Sequence, residues 1–144
     1  MNIYLYFALL ALVSGYAFLR GGREERFVAA VCVVASLASL AVFRPADVSY
    51  SDFQPRIAFI DLAALSGFVA IALRTRRFWP LWVSGLQLTT TIGHVLKLLD
   101  PDLVPVVYGA ALASWSYLIL IILAVGTWRA RRLDQPSSEG LATS

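Results

Sequence analysis

The sequence predicts an all-α membrane protein, a bundle of five transmembrane helices with its N-terminus outside and its C-terminus inside, and three observations predict it. Of 144 residues, 59% are hydrophobic and only 15% charged, which a water-soluble domain of this size cannot hide in one core. The apolar residues fall into five long runs, and a bilayer core of roughly 30 Å asks about 20 apolar residues of each spanning helix. Nine of the twelve basic residues form three arginine triplets at the edges of those runs: Arg20/Arg23/Arg26, Arg74/Arg76/Arg77 and Arg129/Arg131/Arg132.

The first run, residues 3–19, has no basic residue before its apolar stretch and is followed by Arg-Gly-Gly-Arg. Neither flank suits a cleaved signal peptide, so it is read as a helix. The second, 27–43, contains the single cysteine, Cys32, which offers no disulfide framework and no thiolate pair for a metal and is read as a small packing residue. The third, 57–73, carries one carboxylate, Asp61. The fourth, 78–99, has Pro80 in its first turn, where a missing N–H costs nothing, and carries Gln87 and His94. The fifth, 104–128, can start at Pro105. Short connectors make consecutive helices antiparallel neighbours. Residues 1–132 thus form the transmembrane domain, and 133–144, rich in Ser, Gly and Pro, a disordered cytoplasmic tail.

Orientation follows from the excess of Lys and Arg in cytoplasmic loops. With all three triplets inside, nine basic residues lie on that side against Arg44, Arg56 and Lys97 on the other, where Asp47, Asp52, Asp100 and Asp102 also lie. Trp79, Trp82 and Trp128 then fall at the inner interface, and Tyr4, Tyr6 and Tyr108 at the outer one, as an aromatic belt. The arginines are partners for anionic lipid head groups, each gaining about 1 kcal/mol near the surface. They lie in three separate loops without a recognition fold, which excludes nucleic acid as a partner. The connector 44–56 is the longest and most polar on the outer side, the first place where a soluble partner would be recognised.

One polar constellation stands out: Asp61, Gln87, Thr90, Thr91, His94 and Lys97. Lipid supplies no hydrogen bonds, so these groups must find partners in the bundle. Asp61 lies four residues into the third run and His94 five from the end of the fourth, placing both roughly 6 to 8 Å below the outer interface at about 1.5 Å per residue. Three readings follow. The contact is structural; or it is a proton or ion relay, since histidine is the side chain whose charge ordinarily changes between pH 5 and 8; or His94 is an axial ligand to a haem iron or a chlorophyll-type pigment. One histidine makes a bis-His haem site only with a second copy. Trp115, in Ala-Ser-Trp-Ser-Tyr, is the candidate wall for a quinone or pigment ring, although lipid contact or helix packing is the simpler and favoured explanation. The residues alone predict no cofactor, and one His with one Cys makes no zinc set. No catalytic motif is specific enough to name a reaction: hydrolysis would need Ser114 or Ser116 against His94, and nothing in the spacing positions them. A separate ridge of small residues, Gly85, Thr89 and Gly93, recurs every four positions and predicts close packing within the chain against Gly109 and Ala113 of the fifth helix.

The stretches Arg-Phe-Trp-Pro-Leu-Trp-Val-Ser-Gly-Leu-Gln at 77–87, Thr-Ile-Gly-His at 91–94 and Ala-Ser-Trp-Ser-Tyr at 113–117 give the chain a look similar to small uncharacterised polytopic inner-membrane proteins of proteobacteria. The resemblance covers the third to fifth helices, implies a multi-pass protein of the bacterial cytoplasmic membrane, and brings no activity with it. Small four-helix drug exporters match poorly, because their working carboxylate lies in the first span, where this chain has none. With almost no extramembrane mass, the chain is read as an interaction or accessory subunit of a larger membrane assembly, in contact with other integral subunits or copies of itself. The alternatives are a small proton, ion or solute transporter using Asp61, Gln87 and His94, and a haem, quinone or pigment protein using His94. The orientation predicts that, in a Cys32→Ala background, Ser51→Cys is labelled by an impermeant thiol reagent in intact cells and Ser138→Cys is protected; the reverse pattern inverts the orientation.

Overall fold

The computed structural model describes residues 3–43, 50–100 and 105–133, with side chains placed for 3–42, 55–100 and 114–133. The described residues are all-helical, in five helices: α1 Ile3–Arg20, α2 Arg23–Phe43, α3 Tyr50–Arg74, α4 Trp79–Leu99 and α5 Pro105–Leu133. Three stretches, α1, Arg23–Val42 of α2 and Pro55–Arg74 of α3, are long and apolar enough to cross a membrane. α4 is as long but falls short in apolar character, because Gln87, three threonines, His94 and Lys97 interrupt it.

Three boundaries depart from the periodicity of the apolar runs. α2 begins at Arg23, four residues before its apolar run, with Glu24 and Glu25 in its first turn, where the helix dipole favours negative charge. α3 begins at Tyr50 and runs through Pro55, so it absorbs the second half of the connector expected at 44–56; residues 44–49 lie outside the described residues. α5 runs on to Leu133 with Arg131 and Arg132 in its last turn, favourable at a helix C-terminus. The tail expected from 133 therefore loses that residue to the helix, and 134–144 lie outside the described residues.

The helices close into a ring: α1 packs on α2 and α5, α2 on α3, α3 on α4, α4 on α5, and α2 reaches α5 across the middle. Leu10, Val13, Val28, Phe68, Val83, Ile119, Leu120 and Leu123 fill the centre. The outside is apolar too, with Leu12, Leu37, Phe59, Ile92 and Ile121 exposed, one from each helix. Continuous apolar surface of this kind suits hydrocarbon rather than water.

One end of the ring is held by close approach and charge. Gly21 and Gly22 alone join α1 to α2, and a Cβ at Gly21 would lie 2.4 Å from the Ala17 carbonyl oxygen and 2.7 Å from Glu25 Cβ, so glycine is required there. Arg77, in the α3–α4 turn, reaches back to the start of α2: its Nη1 donates to Glu25 Oε1 at 2.6 Å, and its Nε lies 3.3 Å from Glu24 Oε2. Trp79 lies on Gly126, where a Cβ would meet the indole at 3.0 Å, so this tryptophan packs α4 on α5. Trp82 and Trp128 are exposed, and Arg132 stacks over the Trp128 ring at 4.4 Å. These contacts bring all three arginine triplets to one end. Glu25 is only 1% exposed, and a buried carboxylate stripped of its cation leaves an expensive unpaired charge. Because Arg77 itself is half-exposed, Arg77→Gln should cost about 1 to 3 kcal/mol, measured by thermal unfolding in detergent. Adding Glu25→Gln should recover part of that loss, and strictly additive losses would remove the coupling.

Candidate functional site

α3 and α4 pack side by side and carry the polar constellation on facing surfaces. Asp61 projects from α3 and receives two side chains of α4. Gln87 Nε2 donates to Asp61 Oδ1 at 3.1 Å, and His94 Nε2 lies 2.8 Å from Asp61 Oδ2. No aligned hydrogen bond reaches Oδ2 among the described residues, so the imidazole and that oxygen meet as a close pair. Gln87 and His94 are seven positions apart, two turns of helix, and so clasp the carboxylate from above and below on one face. Asp61 and His94 side chains keep 17% and 14% of their surface, and Gln87 is buried.

The rest of the expected cluster is arranged differently. Thr90 and Thr91 are buried, but their hydroxyls donate to their own helix, at the Leu86 and Gln87 carbonyls, 3.2 and 2.9 Å away. This is the usual recourse of threonine in an apolar helix. Lys97 is buried one turn beyond His94 rather than extended to the rim. Because α3 starts at Tyr50, Asp61 sits well inside its helix rather than in its first turn.

On the small-residue ridge, a Cβ at Gly85 would meet nothing within 4 Å among the described residues. Thr89 beside it is exposed and bonds the Gly85 carbonyl at 3.1 Å. Gly93 is half-buried, and the side-chain positions of Gly109 and Ala113 lie outside the described residues. α4 meets α5 through Trp79 on Gly126, where the glycine faces a planar ring.

Beside Asp61 lies a half-open cavity of about 290 Å³, lined by residues of all five helices. Its wall includes Tyr6 and Phe7 of α1, Ser36 of α2, Asp61 and Phe68 of α3, and Gln87 of α4, with Ser116 from α5. Tyr6 Oη and Ser36 Oγ are 2.9 Å apart, tying α1 to α2, and the Tyr6 ring stands edge-on to Tyr117 of α5 at 5.8 Å. Tyr6 is therefore a wall of the cavity, whereas Tyr4 is exposed as a belt residue would be. Tyr108 has no described side chain. Of the two cofactor candidates, neither His94 nor Trp115 is among the lining residues, and ligation of iron or magnesium through His94 Nε2 would have to break the 2.8 Å approach to Asp61.

The pair has a definite chemistry. A carboxylate and an imidazole sharing one proton are neutral overall wherever the proton rests, while gain or loss of a proton puts a net charge in a medium of low dielectric. Asp61 is a lining residue of the cavity, and His94 is not.

Two features escaped the sequence: the lining role of Tyr6 and Ser36, which carries no local signal, and the Arg77 bridge. The second had a signal, since Glu24 and Glu25 are acids placed in a basic loop at the head of an apolar run. Comparison with protein-family models, curated proteins and solved structures finds no match to this chain. The geometry predicts that an Asp61→Asn and Gln87→Ala double-mutant cycle, read from unfolding in mixed micelles, gives a coupling of about 0.5 to 1.7 kcal/mol, the range of hydrogen bonds between helices in membranes. The cycle of Asp61→Asn with Thr90→Val should give none; coupling to Thr90 instead of Gln87 would reassign the carboxylate's partner.

Proposed function

We propose that the chain is a five-span protein of the bacterial inner membrane, N-terminus outside, that binds a small solute in its bundle cavity and links solute movement to a proton held between Asp61 and His94. The carrying observation is that Asp61 forms part of the cavity wall on one side and meets His94 at 2.8 Å on the other. One carboxylate thus touches both the space for a solute and a side chain suited to store a proton near neutral pH. The apolar exterior supports five spans, and so does the burial of Gln87, Thr90, Thr91 and Lys97, since polar residues in a membrane helix turn toward the bundle. The arginine-rich end supports an inner placement. Lining a cavity also accounts for Asp61 and Gln87 better than packing alone, which an apolar pair would serve without their desolvation.

A second reading, the accessory subunit, draws on the Gly85 and Thr89 face, which is exposed and open among the described residues. Small residues on an uncovered membrane helix permit close approach of another. It predicts a stoichiometric partner on purification in mild detergent.

The transport reading predicts that, in proteoliposomes with an internal pH indicator, some member of a panel of small ammonium, alcohol and carboxylate solutes moves protons through the wild-type protein. The rate should fall at least tenfold in Asp61→Asn. Silence across the panel, or equal rates in the two proteins, would sink it.

A further inference from the structure

The cavity has a charge pattern that narrows the solute. Of its described lining residues, fifteen in all, Asp61 is the one that carries a formal charge, and neither lysine nor arginine is among them. His94, 2.8 Å from Asp61 Oδ2, is not among the lining residues. Aromatic rings stand around the same space, with Tyr6 and Phe7 edge-to-face at 5.5 Å and Phe68 at its floor. The polar remainder is Gln87, three serine hydroxyls, Cys32 and the Tyr6 hydroxyl.

We propose that the cavity takes a small organic monocation, an ammonium on an apolar skeleton, and that its arrival at Asp61 expels the proton held with His94. This rests on the transport reading and specifies its substrate class and the direction of coupling. Each part has a physical cause. A lone carboxylate in an apolar cavity attracts a cation and repels an anion. A hard metal ion asks for about six oxygen ligands, whereas an organic ammonium loses less hydration and gains from aromatic faces and apolar walls. A cavity of about 290 Å³ accommodates a single ring with a cationic head.

The coupling follows from charge. With the cation absent, a protonated His94 balances Asp61. When the cation pairs with Asp61 from the cavity side, two positive charges would flank one carboxylate in a low dielectric, and the imidazolium loses its proton to water. One cation in and one proton out keeps the site neutral. The other titratable side chains around the site are Tyr6 on α1, Cys32 on α2, Lys97 on α4 and Tyr117 on α5. Of these and His94, His94 is the one that lies 2.8 Å from Asp61, and the displaced proton is assigned to it.

The test uses three probes of one skeleton on the full-length protein in detergent: benzyltrimethylammonium, which cannot itself carry a proton, benzyl alcohol and phenylacetate. Calorimetry gives affinity, and an indicator dye in weak buffer gives protons displaced. The cation should bind wild type at least tenfold more tightly than either other probe, bind more tightly at pH 8 than at pH 6, and release close to one proton per cation at pH 6. His94→Gln should still bind the cation, with neither proton release nor that pH dependence, and Asp61→Asn should lose at least tenfold in affinity. The three-probe comparison on wild type stands whichever variants fold. Asp61-dependent binding of the alcohol or the carboxylate in preference to the cation, or cation binding that displaces no proton, would overturn this proposal alone. If none of the three binds, this proposal is overturned, and the proton-flux panel then decides the transport reading separately.

Discussion

A carboxylate inside an apolar helix bundle must be answered by neighbouring side chains, because lipid cannot answer it. In this chain Asp61 is answered twice, by Gln87 and by His94, both from α4. Those two contacts require α3 and α4 to be adjacent, as antiparallel neighbours across the short turn from Arg74 to Trp79, and they set which face of α4 turns inward. Once that face is set, Thr90 and Thr91 are buried with it, and the exposed face of α4 falls at Gly85 and Thr89. The polar site and the orientation of the least apolar helix are thus one arrangement.

The two ends of the ring are built on different principles. At the arginine end the chain turns tightly at Gly21 and Gly22, Arg77 joins two acids of α2, and Trp79 fills the space that Gly126 leaves. The glycine turn, the Arg77 bridge and the Trp79 contact there each join one helix to another. In the half of the bundle that holds Asp61 the helices stand apart enough to leave a cavity, and the contacts across it are directional: the Tyr6 and Ser36 hydroxyls, and the edge-on rings of Tyr6 and Tyr117. Between the halves lie Phe68, Val83, Leu120 and Leu123, all buried. The pocket beside Asp61 draws its lining from all five helices, with the buried Phe68 and Leu120 among the residues that form it.

Much of this was legible from residue order because membrane helices are governed by local composition. Runs of about 20 apolar residues, arginine-marked turns and Pro80 in a first turn all act over a few positions, and the five helices lie where those signals place them. Helix ends were less legible. Arg23 to Arg26 and Tyr50 to Arg56 are polar enough to read as connectors, yet a helix is free to continue beyond an apolar run whenever its dipole and hydrogen bonds are served. The Asp61, Gln87 and His94 cluster was legible too, since two helices joined by a short turn have few registers, and depth along each axis brings these residues level. Thr90 and Thr91 were assigned to the same cluster because spacing cannot tell a hydroxyl that crosses to a neighbour from one that bonds its own helix.

Composition and pattern by themselves determined the helical class, the number of helices, the gathering of the arginines and the residues able to pair with Asp61, because each depends on the periodicity of one or two adjacent segments. Tertiary structure alone decided that the ring closes through α1 and α5, that Trp79 packs against Gly126, and that Tyr6 and Ser36 line one cavity with Asp61. Those outcomes depend on the rotation of five helices about their own axes at once. Such rotation is set by the summed packing of side chains far apart in the chain, which no local pattern records.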